Sequence, residues 1–471
     1  MVRKKAWGHT VFPQYIIGSS CVREDDMTAF SCAVARYGAV MIIHVVKPGE
    51  TIYTIAADYN VSVTRLVEDN GLINPEHLVI GQTVVIAYPA QVYIAQEGDT
   101  VEGIAEIFQI TVMQLLRNNP FLFNRTAIYQ GEIIVIRYDT EGRVSINAYA
   151  YPFINRNTLR KTLPFLTYLT IFNYRTVQAG EIEGVDDTEI IDMAKRFGVA
   201  PLMSLSTLTY QGTGNIEVVN SILYDENNLE RHIDTILGIL REKGYYGLNI
   251  SLSNLTQINR EAYENFISKL SQRLRAEGYK LFITVTPRII VNSNEILFEQ
   301  VDYTVLGRAS DYMQILTYGW GSLAGPPTAI TSAHLTELLL QEAITMVPPQ
   351  KIYAGISVIG YNWQEPYVLG MTRANSLSND AAIELAVQTE SVIKFEESAQ
   401  APYFEYTAQE GGEAVRHIVW FSDARSINSL VSFVPEYGIQ GVGIWNIMSY
   451  FTQMWLVINS QYRIDKVLPE I

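Results

Sequence analysis

The chain has 471 residues, 48% of them hydrophobic, enough to bury more than one core. A formal charge of −15 argues against nucleic-acid partners, whose binders carry a basic footprint. No stretch approaches the ~20 uninterrupted apolar residues of a membrane span, so no membrane partner is expected.

Residues 1–40 show neither a helical nor a strand period and hold both cysteines, Cys21 and Cys32. The expectation is a disordered or non-native extension, with Met41 as the natural start and a fold that disulfides do not hold. No apolar core followed by a small-residue cleavage site is present, so no secretory signal is evident and synthesis in the cytoplasm is expected. The histidines, His9, His44, His77, His232, His334 and His417, are scattered without metal-ligand spacing. Neither a metal nor a cofactor is expected.

From Met41 an internal repeat begins. "HVVKPGETIYTIAADYNVSVTRLVEDN" aligns with "YIAQEGDTVEGIAEIFQITVMQLLRNN" at a spacing of about 49 residues, and the units close with "IGQTVVI" and "YQGEIIVI". In each, a short strand meets a Gly turn, Thr51 or Thr100 caps a helix, a second helix follows, and a β-branched strand returns. The predicted modules, βααβ in order, span residues 41–89 and 90–140. At about 45 residues each lies near the lower limit for an independent core.

These units resemble the LysM module, a binder of N-acetylglucosamine chains of peptidoglycan or chitin. The resemblance implies a sugar groove between the turn after the first strand and the loop before the last. In the first module that places Gly49, Glu50, Thr51 and Ile52 beside Asn74, Pro75, Leu78, Val79 and Ile80. In the second it places Gly98, Asp99, Thr100 and Val101 beside Ala127, Ile128 and Tyr129. Two linked weak sites would hold a polymer by avidity.

Residues 141–471 alternate strands with helix-length amphipathic runs such as "NLERHIDTILGILREKG". Strands are predicted at 144–149, 168–174, 200–206, 247–252, 281–286, 313–317, 351–356 and 440–445. Eight strands with intervening helices predict an α/β fold, a (β/α)8 TIM barrel. The gap before the last strand is too long for one helix and predicts a small α+β insertion at about 360–422.

"YAYPFINRNTLRKTLPFLTYLTIFNY", "LTYGWGSLAGPP", "AGISVIGYNW" and "IVWFSDARSI" resemble the barrel of glycoside hydrolase family 18. More narrowly, the chain resembles the LysM-bearing spore cortex-lytic N-acetylglucosaminidases of endospore-forming bacteria, in module order as well. The family ends its fourth strand with Asp-x-x-Asp-x-Asp-x-Glu, written Asp-Gly-x-Asn-x-Asp-x-Glu in spore members. Laid on "YGLNISLS", Asn249 keeps register, whereas Tyr246, Ser251 and Ser253 stand where acids would be. A fourth departure is Gly319, where the family carries an acid after Tyr318.

The resemblance implies what is lost. The family's Glu protonates the leaving oxygen while the substrate's own acetamide attacks, an exception to the two-carboxylate scheme. The adjacent Asp stabilises the charge that develops. General acid catalysis is worth ~10²–10⁴-fold, and serine cannot supply it. No Asp or Glu lies between Glu242 and Glu261, so a shifted register does not restore one. Glu181, Asp186, Asp187 or Glu365 could substitute from another loop. Trp445 is expected on the cleft floor and Tyr318 at the N-acetyl group, with Trp320, Tyr361 and Trp363 lining the cleft. Three readings follow. The first is a non-hydrolytic glycan-binding protein of a spore or cell envelope. The second is an active N-acetylglucosaminidase or chitinase with a relocated carboxylate. The third is a structural coat protein whose barrel faces partner spore coat proteins.

Overall fold

A computed structural model describes residues 40–125, 127–177, 180–206, 215–252, 258–287, 289–292, 295–298 and 302–470. The expectations for the N-terminal stretch up to residue 39 and for Ser253 lie outside the described residues.

Both N-terminal modules are βααβ units. Met41–Val45 pairs antiparallel with Thr83–Ala87, and Gln91–Ile94 with Ile133–Arg137. Their helices start where a hydroxyl can accept from an orphan backbone N–H: Thr51 from Thr54, Ser62 from Arg65, Thr100 from Gly103, Thr111 from Gln114. One buried amide ties each module together. Asn70 donates to the carbonyls of Leu66 and Val85 at 2.9 and 2.8 Å and accepts from the Val85 N–H. Asn119 repeats this with Leu115 and Val135 at 2.9 and 2.7 Å.

The barrel closes through eight parallel strands: Gly142–Ala150, Tyr168–Thr176, Ala200–Ser206, Gly247–Ser251, Lys280–Val285, Tyr312–Ile315, Ile352–Ser357 and Gly441–Trp445. The eighth strand pairs with the first (Gly441 beside Ser145), which in turn pairs with the second (Asn147 beside Tyr168). The helix before strand four presents one apolar face to the sheet. In Glu226–Lys243, Leu229, Ile233, Ile236, Leu237 and Leu240 are buried, Asp225 caps the start, and Gly244 ends it at φ of 67°. Between strands seven and eight an insertion forms a five-stranded antiparallel sheet with the helix Asn379–Gln388 against it.

Inward-facing residues stack in layers. At the amino end Tyr168, Phe282, Tyr312 and Tyr353 form an aromatic plug, with successive ring centroids 4.8–5.5 Å apart. Above it lies a layer of neutral polar side chains. Asn147 donates to Gln314 at 2.9 Å and accepts from Thr170 at 2.7 Å. Asn249 donates to the Tyr149 hydroxyl at 2.9 Å and accepts from Thr284 at 2.7 Å.

The modules are mounted on the barrel by its last helix, Thr452–Gln461, which is buried along most of its length. Gln453 donates to Asn70 and to the Thr83 carbonyl, and Asn459 donates to Asn118. Arg117 of the second module pairs with Glu470 at 2.8 Å, and Arg65 of the first reaches the Asn118 carbonyl. Val85, Val135 and Tyr138 join the barrel's own apolar cluster. The modules are therefore not tethered beads but parts of one packed body.

One contact of that mount is testable. Gly81 and Gly131 occupy the same turn at φ of 89° and 87°. A methyl group on Gly81 would lie 2.0 Å from the Ile393 carbonyl oxygen of the insertion, whereas on Gly131 it would meet nothing within 4 Å. Gly131→Ala should cost about 1–2 kcal/mol for the left-handed backbone alone. Gly81→Ala should cost roughly 1–3 kcal/mol more from the forced displacement. Denaturant titration of both variants checks the difference, and equal losses would contradict the docking described.

Candidate functional site

The carboxyl ends of the strands open into a groove of about 1040 Å³. Its lining includes Tyr149, Tyr151, Phe153, Phe172, Ser204, Asn249, Ser251, Thr284, Tyr318 and Trp445. Trp445 ends the eighth strand half-buried, with Phe172 edge-on at 5.0 Å, Tyr149 at 5.5 Å and Tyr151 at 6.0 Å. Tyr151 stacks in turn on Phe153 at 5.2 Å, and Phe153 is 76% exposed. The result is a continuous aromatic wall from the groove floor to solvent. Rings so braced keep their faces available at little conformational cost.

Strand four supplies the polar side. Leu248, Ile250 and Leu252 face the helices and are buried, which turns Asn249 and Ser251 toward the lumen. Asn249 is fully engaged between Tyr149 and Thr284. Burial pushes the Tyr149 hydroxyl up to about 12, so it stays a neutral hydrogen-bonding group at physiological pH. Tyr318 packs against strand seven, where a methyl group on Gly355 would come within 2.7 Å of its ring. Burial raises its hydroxyl well above the ordinary range. Gly319 has φ of 94°, a backbone that disfavours any side chain there.

The structure does not gather all the expected residues. Tyr246 precedes strand four and packs against the amino-end plug, 6.1 Å from Tyr168. It stands at the wrong end of the barrel to act on a groove ligand. Trp363 is completely buried, and its indole N–H donates to the Gly325 carbonyl at 2.9 Å. It is a core residue of the insertion rather than a cleft wall. Tyr361 packs edge-on against Trp363 at 5.5 Å, and neither it nor Trp320 belongs to the groove lining.

Among the loop carboxylates, Asp186 lines the groove rim. Glu183, which the sequence reading did not single out, lines it too, paired with Arg175. Asp187 is fully committed elsewhere, accepting from Tyr174 at 2.7 Å, from Tyr245 and from Lys243 at 2.9 Å. Glu365 pairs with Arg416 on the insertion, and Glu181 is outside the lining. Tyr149, Tyr151, Phe153 and Phe172 were also missed, although "NAYAYPF" alternates the first three toward the groove.

In the N-terminal modules the two predicted turns do lie side by side. The N–H of Gly81 donates to Val46 and that of Gly131 to Ala95, both at 2.8 Å. Glu50 and Asp99 brace the first turn, accepting from the N–H of Lys47 and Gln96 at 2.7 Å and bonding His44 and Tyr93. Thr51 and Thr100 are helix caps, and Ile52 and Ile128 are buried in the module cores. Gly49, Gly98, Asn74, Ile80 and Tyr129 are exposed, while Pro75, Leu78 and Val101 are half-buried.

Fold and groove define a (β/α)8 barrel of the glycosidase type carrying two βααβ modules. The chain belongs to the glycosyl hydrolases family 18, whose family model matches residues 202–449, and the LysM domain matches residues 44–87 and 93–137. It is 30% identical over 434 residues to the putative sporulation-specific glycosylase YdhD of Bacillus subtilis, covering 91% of this chain and 100% of that one. It is 30% identical over 428 residues to the cortical fragment-lytic enzyme of Bacillus anthracis, covering 89% and 98%. The crystal structure of the Bacillus cereus spore cortex-lytic enzyme SleL superposes with a TM-score of 0.74 at 30% identity, covering 91% and 100%.

The neutrality of the lumen can be tested by one substitution. Asn249→Asp places a desolvated carboxylate there, and burial raises its folded pKa above the unfolded ~3.9. The folded state then binds the extra proton, so stability is retained at low pH and falls as pH rises through the folded pKa. We expect Asn249→Asp to lose about 1–3 kcal/mol relative to the parent at pH 7, with the gap closing below pH 4. Urea unfolding at both pH values would show it, and a pH-independent gap would refute it.

Proposed function

We propose that this protein binds N-acetylglucosamine-containing glycan, peptidoglycan or chitin, in the bacterial spore or cell envelope, and does not hydrolyse it. The observation that carries this reading is strand four. Its lumen-facing residues are Asn249, held in an uncharged hydrogen-bonded layer, and Ser251, and the sequence carries another serine two positions on, at 253. Relatives named for lysis support the substrate class and the spore setting; the departure from the family signature at 251 and 253 supports the loss of turnover. An aromatic wall beside Trp445 suits the apolar face of a pyranose, and binding there needs no proton donor.

A second reading rests on Asp186, which lines the groove rim and stands exposed. There the protein would be a hydrolase with a relocated acid, and its signature is turnover abolished by Asp186→Asn.

Soluble peptidoglycan fragments and a chromogenic N-acetylglucosaminide separate the two. The wild-type protein should bind the fragments with turnover at background, and Trp445→Ala should weaken short-oligosaccharide binding roughly tenfold, ~1.4 kcal/mol. Brisk wild-type cleavage would sink the first reading. Ser251→Asp with Ser253→Glu should raise hydrolysis by ~10²-fold or more. Tyr246→Asp contributes nothing to that variant, because the side chain is at the far end of the barrel.

A further inference from the structure

The two N-terminal modules are built on the same plan, so any difference in how their surfaces are used stands out. The turn before the closing strand matches at an offset of fifty residues. Val79 corresponds to Tyr129, Gly81 to Gly131 and Gln82 to Glu132. The N–H of Val79 donates to the Gln82 side chain and the N–H of Tyr129 to that of Glu132, so the turns have the same internal bonding.

What touches them differs. In the first module Val79 packs into the insertion's apolar cluster beside Ile393 and Phe404. The Ile80 carbonyl accepts the Ile393 N–H at 2.9 Å, and Arg425 reaches the Gly81 carbonyl at 3.4 Å. The barrel therefore uses this turn as a strand-like edge, through its backbone as well as its side chains. In the second module the Val79 position is Tyr129, 63% exposed, and a methyl group on Gly131 would meet nothing within 4 Å. Tyr129 is nonetheless positioned, with the Arg125 guanidinium 6.0 Å from its ring centre and paired in turn with Glu68 and Glu132. An exposed, braced aromatic ring with no packing role is the feature a carbohydrate face requires.

We propose that the duplicated modules have divided their roles. The second alone offers a free glycan-contacting face, centred on Tyr129 beside the Gly98–Thr100 turn. The first has given up the equivalent turn to fasten the pair to the barrel. Resting on the glycan-binding reading above, this predicts one N-acetylglucosamine chain held by the module pair rather than two, and no avidity between the modules.

Full-length protein carrying Trp445→Ala, which weakens the barrel groove about tenfold, is titrated with the N-acetylglucosamine pentamer below the concentrations that fill that groove. One equivalent should bind. Adding Tyr129→Ala should weaken binding at least tenfold at an unchanged melting temperature, since the ring is exposed. Adding Ile80→Ala on the first module should change it less than twofold. Two equivalents, or equal losses from the two variants, would overturn the division of roles while leaving glycan binding intact. So would binding by wild-type protein that disappears in Trp445→Ala alone. Failure of the wild-type protein itself to bind the pentamer would overturn both readings together.

Discussion

At the centre of the barrel Asn249 donates to Tyr149 and accepts from Thr284, and the neutral layer beneath the groove is built on that exchange. Burying a polar group is tolerable when its partners are present, and burying an unpaired charge is far more expensive. Asn147, Thr170 and Gln314 extend the same neutral bonding across the lumen. A family 18 barrel that fills this layer with amides and hydroxyls keeps its shape without any ionised group. On the described part of strand four the lumen-facing side chains, Asn249 and Ser251, are likewise uncharged. The aromatic wall from Trp445 to Phe153 lies beside this neutral layer.

The same principle governs the join between modules and barrel. Gln453 and Asn459 project from one buried helix toward the amides at 70 and 118, and each contact satisfies groups that water cannot reach. Arg117 with Glu470 adds a directional pair at the second module. Such buried polar contacts add modest net stability but penalise any other orientation, because displacement would leave donors and acceptors unpaired. Small modules that would be marginal alone acquire their stability by sharing the barrel's core through Val85 and Val135.

Much of this was legible in the residues. The repeat from His44 to Asn119 marked two βααβ modules, and each of the eight predicted barrel strands has its counterpart in the closed sheet. The alternation in "GLNIS" agrees with the burial of Leu248 and Ile250 and with Asn249 and Ser251 lining the groove. The residue-level map of the groove was less legible. Trp363 follows a barrel strand, as a cleft residue would, yet it belongs to the insertion's antiparallel sheet, where its indole N–H found the Gly325 carbonyl. Tyr246 matched a motif position, but its ring lies with Tyr168 at the amino-end plug.

What the sequence by itself determined is local and periodic. Strand and helix periods, cap hydroxyls, turn glycines and the residue types on strand four all follow from neighbours a few positions apart. Tertiary structure alone decided which aromatics reach the groove, that Asp187 is consumed by Tyr174 and Lys243 while Asp186 stays on the rim, and that one of two equivalent turns is covered. The reason is physical. Burial and pairing depend on which surfaces meet across hundreds of residues, and no period in the chain records that Val79 will meet Ile393 while Tyr129 faces solvent.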